Sequence, residues 1–159
     1  MTIKPYNVVN AVSYAKKWAL ARNPKYYNFD KLGGDCTNFV SQCLFAGCNV
    51  MNFTKNNPWY YNSLNDRSPS WTGVEFLYKF LISNKLNGPF GNIVSKEHIA
   101  LGDIIQLGNN ERFYHTLIVT KIFQNNLYTS SHTIDSLDRP LESYRFERIR
   151  YIKIKGIRT

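Results

Sequence analysis

The spacing of apolar residues predicts helices in the first half of the chain and strands in the second half. After Asn7, after Cys36 and after Thr72, apolar residues recur every three or four positions, which is the pattern of a helix with one buried face. Asn23-Pro24 is expected to end the first helix, because the residue before a proline disfavours helical geometry. The predicted helices begin at Asn7 (ending at Ala21), at Cys36 (ending near Gly47) and at Thr72 (ending before Asn87).

The second half of the chain alternates β-branched and aromatic runs with turn residues. Gly108-Asn109-Asn110 and Gln124-Asn125-Asn126 separate these runs, and both triplets are typical of turns between strands. The predicted strands cover residues 104–107, 113–120, 127–132 and 148–157. Helices followed by an antiparallel meander of strands indicate an α+β fold, in which residues 1–159 form a single domain.

Two stretches before the strands carry further local signals. Thr72-Gly-Val-Glu75 has the form of a capping box, with Trp71 and Phe76 spaced as a hydrophobic staple, so the helix that follows is expected to be purely structural. Before it, residues 49–70 form a long polar loop that contains Trp59-Tyr60-Tyr61. Such a loop is either a binding loop or a cover packed on the core.

Composition fits a globular domain and excludes several classes of function. The chain has 159 residues, of which 43% are hydrophobic, and its longest apolar runs are too short to span a membrane. No apolar segment follows the lysine near the N-terminus, so we expect no signal peptide in this chain. The expected location is cytoplasmic or one reached by an export route that the sequence does not reveal. No glycine-rich phosphate loop is present, which argues against nucleotide chemistry.

The chain is basic, with twenty Lys and Arg against eleven Asp and Glu and a net charge of +9. Such a charge favours polyanionic partners. The charges are scattered except for a dense stretch from Arg148 to Arg158, and no nucleic-acid-binding motif is present. We therefore do not expect nucleic acid as the partner. An anionic cell wall is a polyanionic partner that agrees with this charge. A solvated basic surface with no dedicated partner agrees with it equally.

The strongest chemical signal is Gly33-Gly34-Asp35-Cys36, which opens the second predicted helix. Cys36 falls in the first turn, where unpaired N–H groups and the helix dipole favour an anion. A thiol in that position is expected to have a lowered pKa and to be nucleophilic. The alternative is a small buried cysteine that starts a helix. The three cysteines and three histidines lack both paired cysteines and ligand spacing, so we expect neither a disulfide framework nor a metal site.

The segment from Gly34 to Gln42 (Gly-Asp-Cys-Thr-Asn-Phe-Val-Ser-Gln) resembles the nucleophile segment of the bacterial putative amidase domain family. Members of that family are papain-like cysteine hydrolases, similar to the NlpC-type and CHAP cell-wall peptidases. Residues 11–27, Gly102-Asp103-Ile104-Ile105, and His115 at the start of an apolar strand also resemble the family, so the resemblance covers nearly the whole chain. It implies a papain-like or NlpC-type α+β fold, with the nucleophile at a helix N-terminus and the helices packed on an antiparallel sheet.

The resemblance implies that His115 is the base that deprotonates Cys36. A third group should hold the other ring nitrogen of that histidine. Our first choice is His132, because a hairpin around Gln124-Asn125 would place it beside His115 on the same face. A slip of register would bring up Asp135 instead. His98 has no partner in view and is expected to be solvated or locally bonded.

Four further residues are candidates for a supporting role. A tyrosine upstream of the cysteine points into the site of NlpC-type relatives, so Tyr27 or Tyr26 is a candidate to assist an oxyanion. Asp35 is expected to be the N-cap of the nucleophile helix. Asn38 and Gln42 match the family motif, and we expect them to bond backbone near the site.

These expectations combine into a cofactor-free cysteine amidase or peptidase that acts on peptide or amide bonds through an acyl-enzyme thioester. Peptidoglycan peptides are the favoured substrate class. An acyltransferase of related fold is the alternative among enzymes. The alternative from another class is a non-catalytic module that binds cell wall or nucleic acid through basic and aromatic residues. The sequence predicts no oligomeric state.

Overall fold

Helices precede most of the strands along the chain, as the apolar spacing predicts. The computed structural model describes residues 1–159. The helices are α1 (Val8–Trp18), α2 (Cys36–Cys48), α3 (Pro69–Thr72) and α4 (Val74–Ser83). The strands are β1 (Ile3–Lys4), β2 (Tyr61–Ser63), β3 (Asp66–Arg67), β4 (Gly88–Val94), β5 (Ile104–Gly108), β6 (Phe113–Phe123), β7 (Asn126–Ser131), β8 (Ser136–Pro140) and β9 (Arg148–Arg158). None of the helices combines the length and apolar character needed to cross a membrane.

Seven strands form one antiparallel sheet in the order β1-β9-β5-β6-β7-β8, with β4 paired to β9 as well. The strands β2 and β3 form a separate hairpin. Strand β6 lies between β5 and β7, with Leu117 opposite Ile105 and Ile118 opposite Ser130. Neighbouring residues of β6 point to opposite faces of the sheet, so the two faces can be assigned from their contacts.

Apolar side chains cover both faces of the sheet. On one face the helices α1, α2 and α4 pack on Ile104 and Ile118, within a cluster of 20 buried residues. On the other face Leu117 and Val119 belong to a smaller cluster of 7 buried residues that is covered in part by Leu141. The strands are thus buried on both sides, and the helix face carries the larger core.

Helix α2 is the most deeply buried of the helices, with eleven of its thirteen residues buried. It begins at Cys36, as the sequence predicts, and ends at Cys48; the C-cap residue Asn49 has a left-handed φ of 53°, and its N–H donates to Phe45 O. A helix buried on nearly all sides holds its first residue in a fixed position. Cys36 is therefore held rigidly at the end of the sheet.

The predicted first helix and four predicted strands are confirmed, with small shifts at their ends. Helix α1 stops at Trp18 instead of Ala21, and the Asn7 side chain caps it by accepting from Asn10 N at 3.0 Å. The strands β4 and β8 were not predicted. Strand β4 begins at Gly88, where Asn87-Gly88-Pro89 had indicated only a break in the chain.

The predicted capping box and staple are wrong. Thr72 ends α3, and Gly73, with extended dihedral angles, occupies the N-cap of α4 without a side-chain cap. The Glu75 carboxylate bonds Arg150 instead of the backbone, at 2.9 Å. Trp71 is fully buried while Phe76 is 57% exposed, so the two rings lie in different environments. Nearby, Trp59 is fully buried, so the long loop covers the core.

Candidate active site

A cleft of about 620 Å³ opens at one end of the sheet, above the start of α2. Its lining comes from the glycine loop with Cys36 and Thr37, from residues 72–76 at the junction of α3 and α4, from residues 111–114 at the start of β6, and from two arginines of β9. The start of α4 therefore lines the cleft as well as packing on the core, which corrects its assignment as purely structural.

Two glycines shape the loop that leads to Cys36. Gly33 and Gly34 have φ values of +86° and +95°, a region that residues with a side chain rarely adopt. A Cβ on Gly34 would also lie 3.3 Å from Thr133 Oγ1, which is closer than most side chains approach. The loop can therefore pass near Thr133 and leave Cys36 as the first residue of α2.

The Cys36 sulfur is buried among hydrogen-bond donors. The residue is 7% exposed, and its Sγ lies 3.8 Å from Thr37 Oγ1. Burial raises the pKa of the Cys36 thiol, while the backbone N–H groups of Thr116 and Thr37 and the Thr37 hydroxyl lower it. The expectation of a lowered pKa is therefore wrong for this structure, because the loss of hydration outweighs the donors at the helix start.

A chain of buried polar groups leads from the sulfur to an arginine of the cleft. Thr37 Oγ1 lies 2.9 Å from Thr116 Oγ1, which accepts from Gln106 Nε2 at 3.2 Å. Gln106 Oε1 in turn accepts from Arg150 Nε at 2.8 Å. Because the Gln106 amide must donate to Thr116, the Thr116 hydroxyl can donate to Thr37, and the Thr37 hydroxyl then points its proton at the Cys36 sulfur.

Gln106 and Thr116 were not among the site residues predicted from the sequence. A signal was present, because Gln106 is the polar residue in the run Ile104-Ile105-Gln106-Leu107. All three polar members, Gln106, Thr116 and Thr37, are fully buried. Buried polar groups need partners, which is why they bond one another.

His115 lies at the start of β6, opposite Leu107, and its residue is 9% exposed. It alternates with Thr116, so it points to the same face as Leu117, and its ring centroid lies 5.9 Å from that of Tyr144. No hydrogen bond joins His115 to the Cys36 sulfur, whereas Thr116 faces it. Burial and the nearby charge of Arg139 lower the pKa of His115 to about 4, so its ring is neutral near pH 7.

His132 is paired with the residue that precedes the cysteine. Its Nδ1 lies 2.5 Å from Asp35 Oδ2 and its Nε2 lies 2.8 Å from Trp18 O, while its ring stacks on Phe39 at 4.1 Å. The ring is thus held between the Asp35 carboxylate and the Trp18 carbonyl, and both of its nitrogens have a polar partner. Through these contacts His132 joins the loop before Cys36 to the end of α1.

The structure does not bring His132 to His115. The register pairs Ile118 with Ser130, and continuing it by two residues places His132 opposite Thr116 instead. The expectation that the two rings share a face is therefore wrong. The alternative third residue, Asp135, bonds Arg22 instead of His115: both of its carboxylate oxygens accept from that guanidinium, at 2.8 and 2.9 Å.

The Asp35 carboxylate links several segments around the start of α2. It occupies the N-cap position but makes no side-chain cap. Its Oδ1 accepts from Phe29 N at 2.8 Å and from Asn38 Nδ2 at 2.9 Å, and Arg22 Nε lies 3.5 Å from its Oδ2. The predicted cap is thus replaced by bonds that fix the loop before the helix.

The other predicted supporting residues have mainly structural contacts. Asn38 Nδ2 donates to Tyr27 O at 3.0 Å, which agrees with the expected backbone bond. Gln42 Oε1 accepts from the Tyr14 hydroxyl at 2.6 Å instead of bonding backbone. Tyr27 is 41% exposed and, with Tyr26, lines a separate groove, so the structure does not bring either hydroxyl to the sulfur.

The arrangement has no group of three or more His, Cys, Asp or Glu side chains placed to hold a metal ion. The third histidine, His98, accepts or donates locally with Ser95 Oγ at 2.9 Å, as expected for a solvated or locally bonded ring. What the cleft offers chemically is therefore a cysteine among hydrogen-bond donors, with charged side chains along the walls.

Comparison with known proteins gives one family and two relatives. The family model described as the putative amidase domain matches residues 5–155. Uncharacterized protein YhbB of Bacillus subtilis (strain 168) is 34% identical over 136 residues, which cover 82% of this chain and 42% of that protein. Uncharacterized protein YjcM of the same organism is 30% identical over 153 residues, which cover 89% of this chain and 34% of that protein.

The chain thus spans less than half the length of these curated relatives. The structure establishes an α+β class with an antiparallel sheet. The papain-like or NlpC-type character of the fold stays a prediction, because no solved structure matches the chain. The family model covers nearly all of the chain, including Cys36 and His115. The chain therefore belongs to the putative amidase domain family.

Proposed function

We propose that the chain hydrolyses amide bonds as a cysteine-dependent amidase or peptidase with Cys36 as nucleophile. The observation that supports this most strongly is the position of Cys36 as the first residue of α2, lining the cleft. Its sulfur lies among the Thr37 hydroxyl and backbone N–H groups of α2 and β6. Such donors stabilise a thiolate and thereby favour nucleophilic attack.

In the proposed reaction, the Cys36 thiolate forms a bond to the amide carbonyl carbon, and the carbonyl oxygen becomes an oxyanion. The N–H groups at the start of α2 are the proposed oxyanion donors, because no side chain caps them. The C–N bond then breaks, and the amine leaves with a proton from the base. Water attacks the Cys36 thioester, releases the carboxylic acid and restores the thiol.

We assign His115 as the base. Burial and the charge of Arg139 lower the pKa of His115, so its ring is neutral near pH 7, but a base with a pKa near the working pH requires that the ring leave this buried site. Its ring lies on the opposite face of β6 from Thr116, so the proposal requires a change of register at this end of the strand. A bulge lies there, where the pairing shifts between Leu107 and Gly108. Moving the bulge by one residue exchanges the faces of the adjoining side chains.

Peptide bonds, including those of peptidoglycan, are the proposed substrate class. The net charge of +9 supports an anionic substrate surface. An acyltransferase in which an amine or alcohol resolves the Cys36 thioester would use the same site and the same first step.

A second candidate function is a non-catalytic module that binds cell wall or nucleic acid. Two observations favour it: burial raises the pKa of the Cys36 thiol, and no imidazole bonds the sulfur. This candidate predicts that Cys36→Ser keeps the whole function, whereas the enzyme proposal predicts loss of turnover with substrate binding intact. Binding to a polyanion would also weaken steeply with added salt.

The test is the pH dependence of iodoacetamide labelling at Cys36, resolved by mass spectrometry. Cys43, which is fully buried, serves as an internal control for partial unfolding. The natural chain is compared with His115→Ala and with His98→Ala, which removes an exposed histidine. Rapid labelling near neutral pH that is lost in His115→Ala but kept in His98→Ala supports the enzyme. Slow labelling at a rate that His115→Ala does not change overturns the assignment of Cys36 and His115 and leaves the non-catalytic binding module.

A further inference from the structure

We propose that Arg148 and Arg150 form a carboxylate-binding subsite, so that the substrate carries a carboxylate beyond the amide bond that is cleaved. Both arginines line the cleft that contains Cys36. The proposal names the substrate class of that site, and in this respect it rests on the proposed function. The binding of a carboxylate can nevertheless be measured without turnover.

The Arg150 guanidinium is fixed in place by its surroundings. Its Nε donates to Gln106 Oε1 at 2.8 Å, and one terminal nitrogen donates to Glu75 Oε2 at 2.9 Å. It also lies 3.9 Å from the ring centroid of Phe113 and 3.6 Å from that of Tyr78. The side chain is only 11% exposed, so contacts with the protein hold it in position. Little conformational entropy remains to be lost when a ligand binds it.

The Arg148 guanidinium is held against the same aromatic ring. Its Nε donates to Asn109 O at 2.6 Å, and its guanidinium carbon lies 4.7 Å from the Phe113 centroid. Arg148 and Arg150 are two residues apart on β9 and therefore share one face of the sheet. The two cations thus form an adjacent pair, although like charges repel.

Most of the donors on these two arginines have no protein acceptor. A guanidinium has five N–H groups; Arg150 uses two of them and Arg148 uses one. The remaining N–H groups have no acceptor within the protein, and both arginines line the cleft. A fixed guanidinium with free outer donors matches the two oxygens of a carboxylate.

The charge balance of the cleft favours a carboxylate over a dianionic phosphate. Three arginines line it, namely Arg112, Arg148 and Arg150, against the two carboxylates of Glu75 and Glu111. The net charge of the lining is therefore one positive unit. A monoanion neutralises that charge, whereas a dianion would leave an excess negative charge next to Glu75 and Glu111.

The experiment titrates the natural chain with N-acetylglycine, a monoanion, and with its neutral counterpart N-acetylglycinamide, at constant ionic strength. The Arg148 and Arg150 Nε–Hε resonances are followed by NMR. We expect saturable shifts with N-acetylglycine and none with the neutral amide. Because charge-assisted bonds to a carboxylate are strong, Arg148→Gln should weaken N-acetylglycine binding about tenfold.

The matched control is Arg139→Gln, which removes an arginine stacked on Tyr144 away from the cleft. Arg150→Lys keeps the positive charge and removes the fork, so it should weaken binding while the chain stays folded. Equal shifts with the neutral amide, unchanged affinity in Arg148→Gln, or tighter binding of inorganic phosphate than of N-acetylglycine would each overturn the subsite. A chain that binds N-acetylglycine but shows no activated Cys36 would keep the subsite and lose the proposed catalysis.

Discussion

Replacing His115 by Gln should remove a specific part of the acid sensitivity of the fold. Burial and the charge of Arg139 lower the pKa of His115 to about 4, from 6.5 for a histidine in an unfolded chain. Between these pH values the unfolded chain binds a proton that the folded chain does not. The free energy of unfolding therefore falls as the pH drops from about 7 to about 4.

The size of this effect follows from the two pKa values. They differ by about 2.5 pH units, and each unit corresponds to about 1.4 kcal/mol, so the full loss is about 3 kcal/mol by pH 4. That is a large fraction of the stability of a typical domain. Asp30, whose pKa is lowered by its bonds to Arg22, adds to the acid sensitivity in the natural chain and in the variant alike. Its contribution cancels when the two chains are compared.

The assay is urea unfolding followed by tryptophan fluorescence between pH 3.5 and 7.5. The buried Trp59 and Trp71 report the loss of the core. The free energy of unfolding of the natural chain minus that of His115→Gln should fall by about 3 kcal/mol as the pH drops across this range. His98→Gln is the control for removing an exposed histidine. Parallel pH curves for the natural chain and His115→Gln would refute the reasoning, because His115 would then be hydrated or charged in the folded state.

Three further substitutions test the surroundings of Cys36. Thr37→Val should slow iodoacetamide labelling of Cys36 at pH 8 roughly tenfold, because it removes a hydroxyl donor near the thiolate. Thr37→Ser, which keeps the hydroxyl, should keep the rate. Equal labelling rates in Thr37→Val and the natural chain would rule out that donor. Asp35→Asn should lower the free energy of unfolding by roughly 3–5 kcal/mol, since it breaks a buried pair with His132, and a loss below about 1 kcal/mol in urea unfolding would contradict that pairing. Phe39→Ala should cost roughly 3–5 kcal/mol by the same assay, because the ring is fully buried, and a smaller loss would mean that α2 collapses into the space.

The sequence alone determined the main helices, four strands of the large sheet and the position of Cys36 at the start of a helix. The apolar spacing predicted the helix that begins at Cys36 and the strands β5, β6, β7 and β9. These features depend on the residues within one or two turns or along one strand, so they can be read locally. The glycines before Cys36 agree with the local backbone as well, because its left-handed conformation favours glycine.

Contacts between segments distant along the chain decided what surrounds the cysteine. Thr116 bonds Thr37 across 79 positions and His132 meets Asp35 across 97 positions, and no local pattern encodes either pair. Burial by the whole fold raises the pKa of Cys36, against the local effect of the helix start. Local spacing could predict a thiol at a helix N-terminus, but not how much water would reach it.

The face on which His115 lies follows from the register between β5 and β6. Residues 104–107 pair with residues 115–118 without interruption, which turns Thr116 toward α2 and His115 away from it, and a slip of one residue would exchange the two faces. The sequence therefore determined that a histidine begins this strand. Only the tertiary structure decided that Thr116, and not His115, faces the sulfur, because the register of a sheet is set by contacts between strands rather than within them.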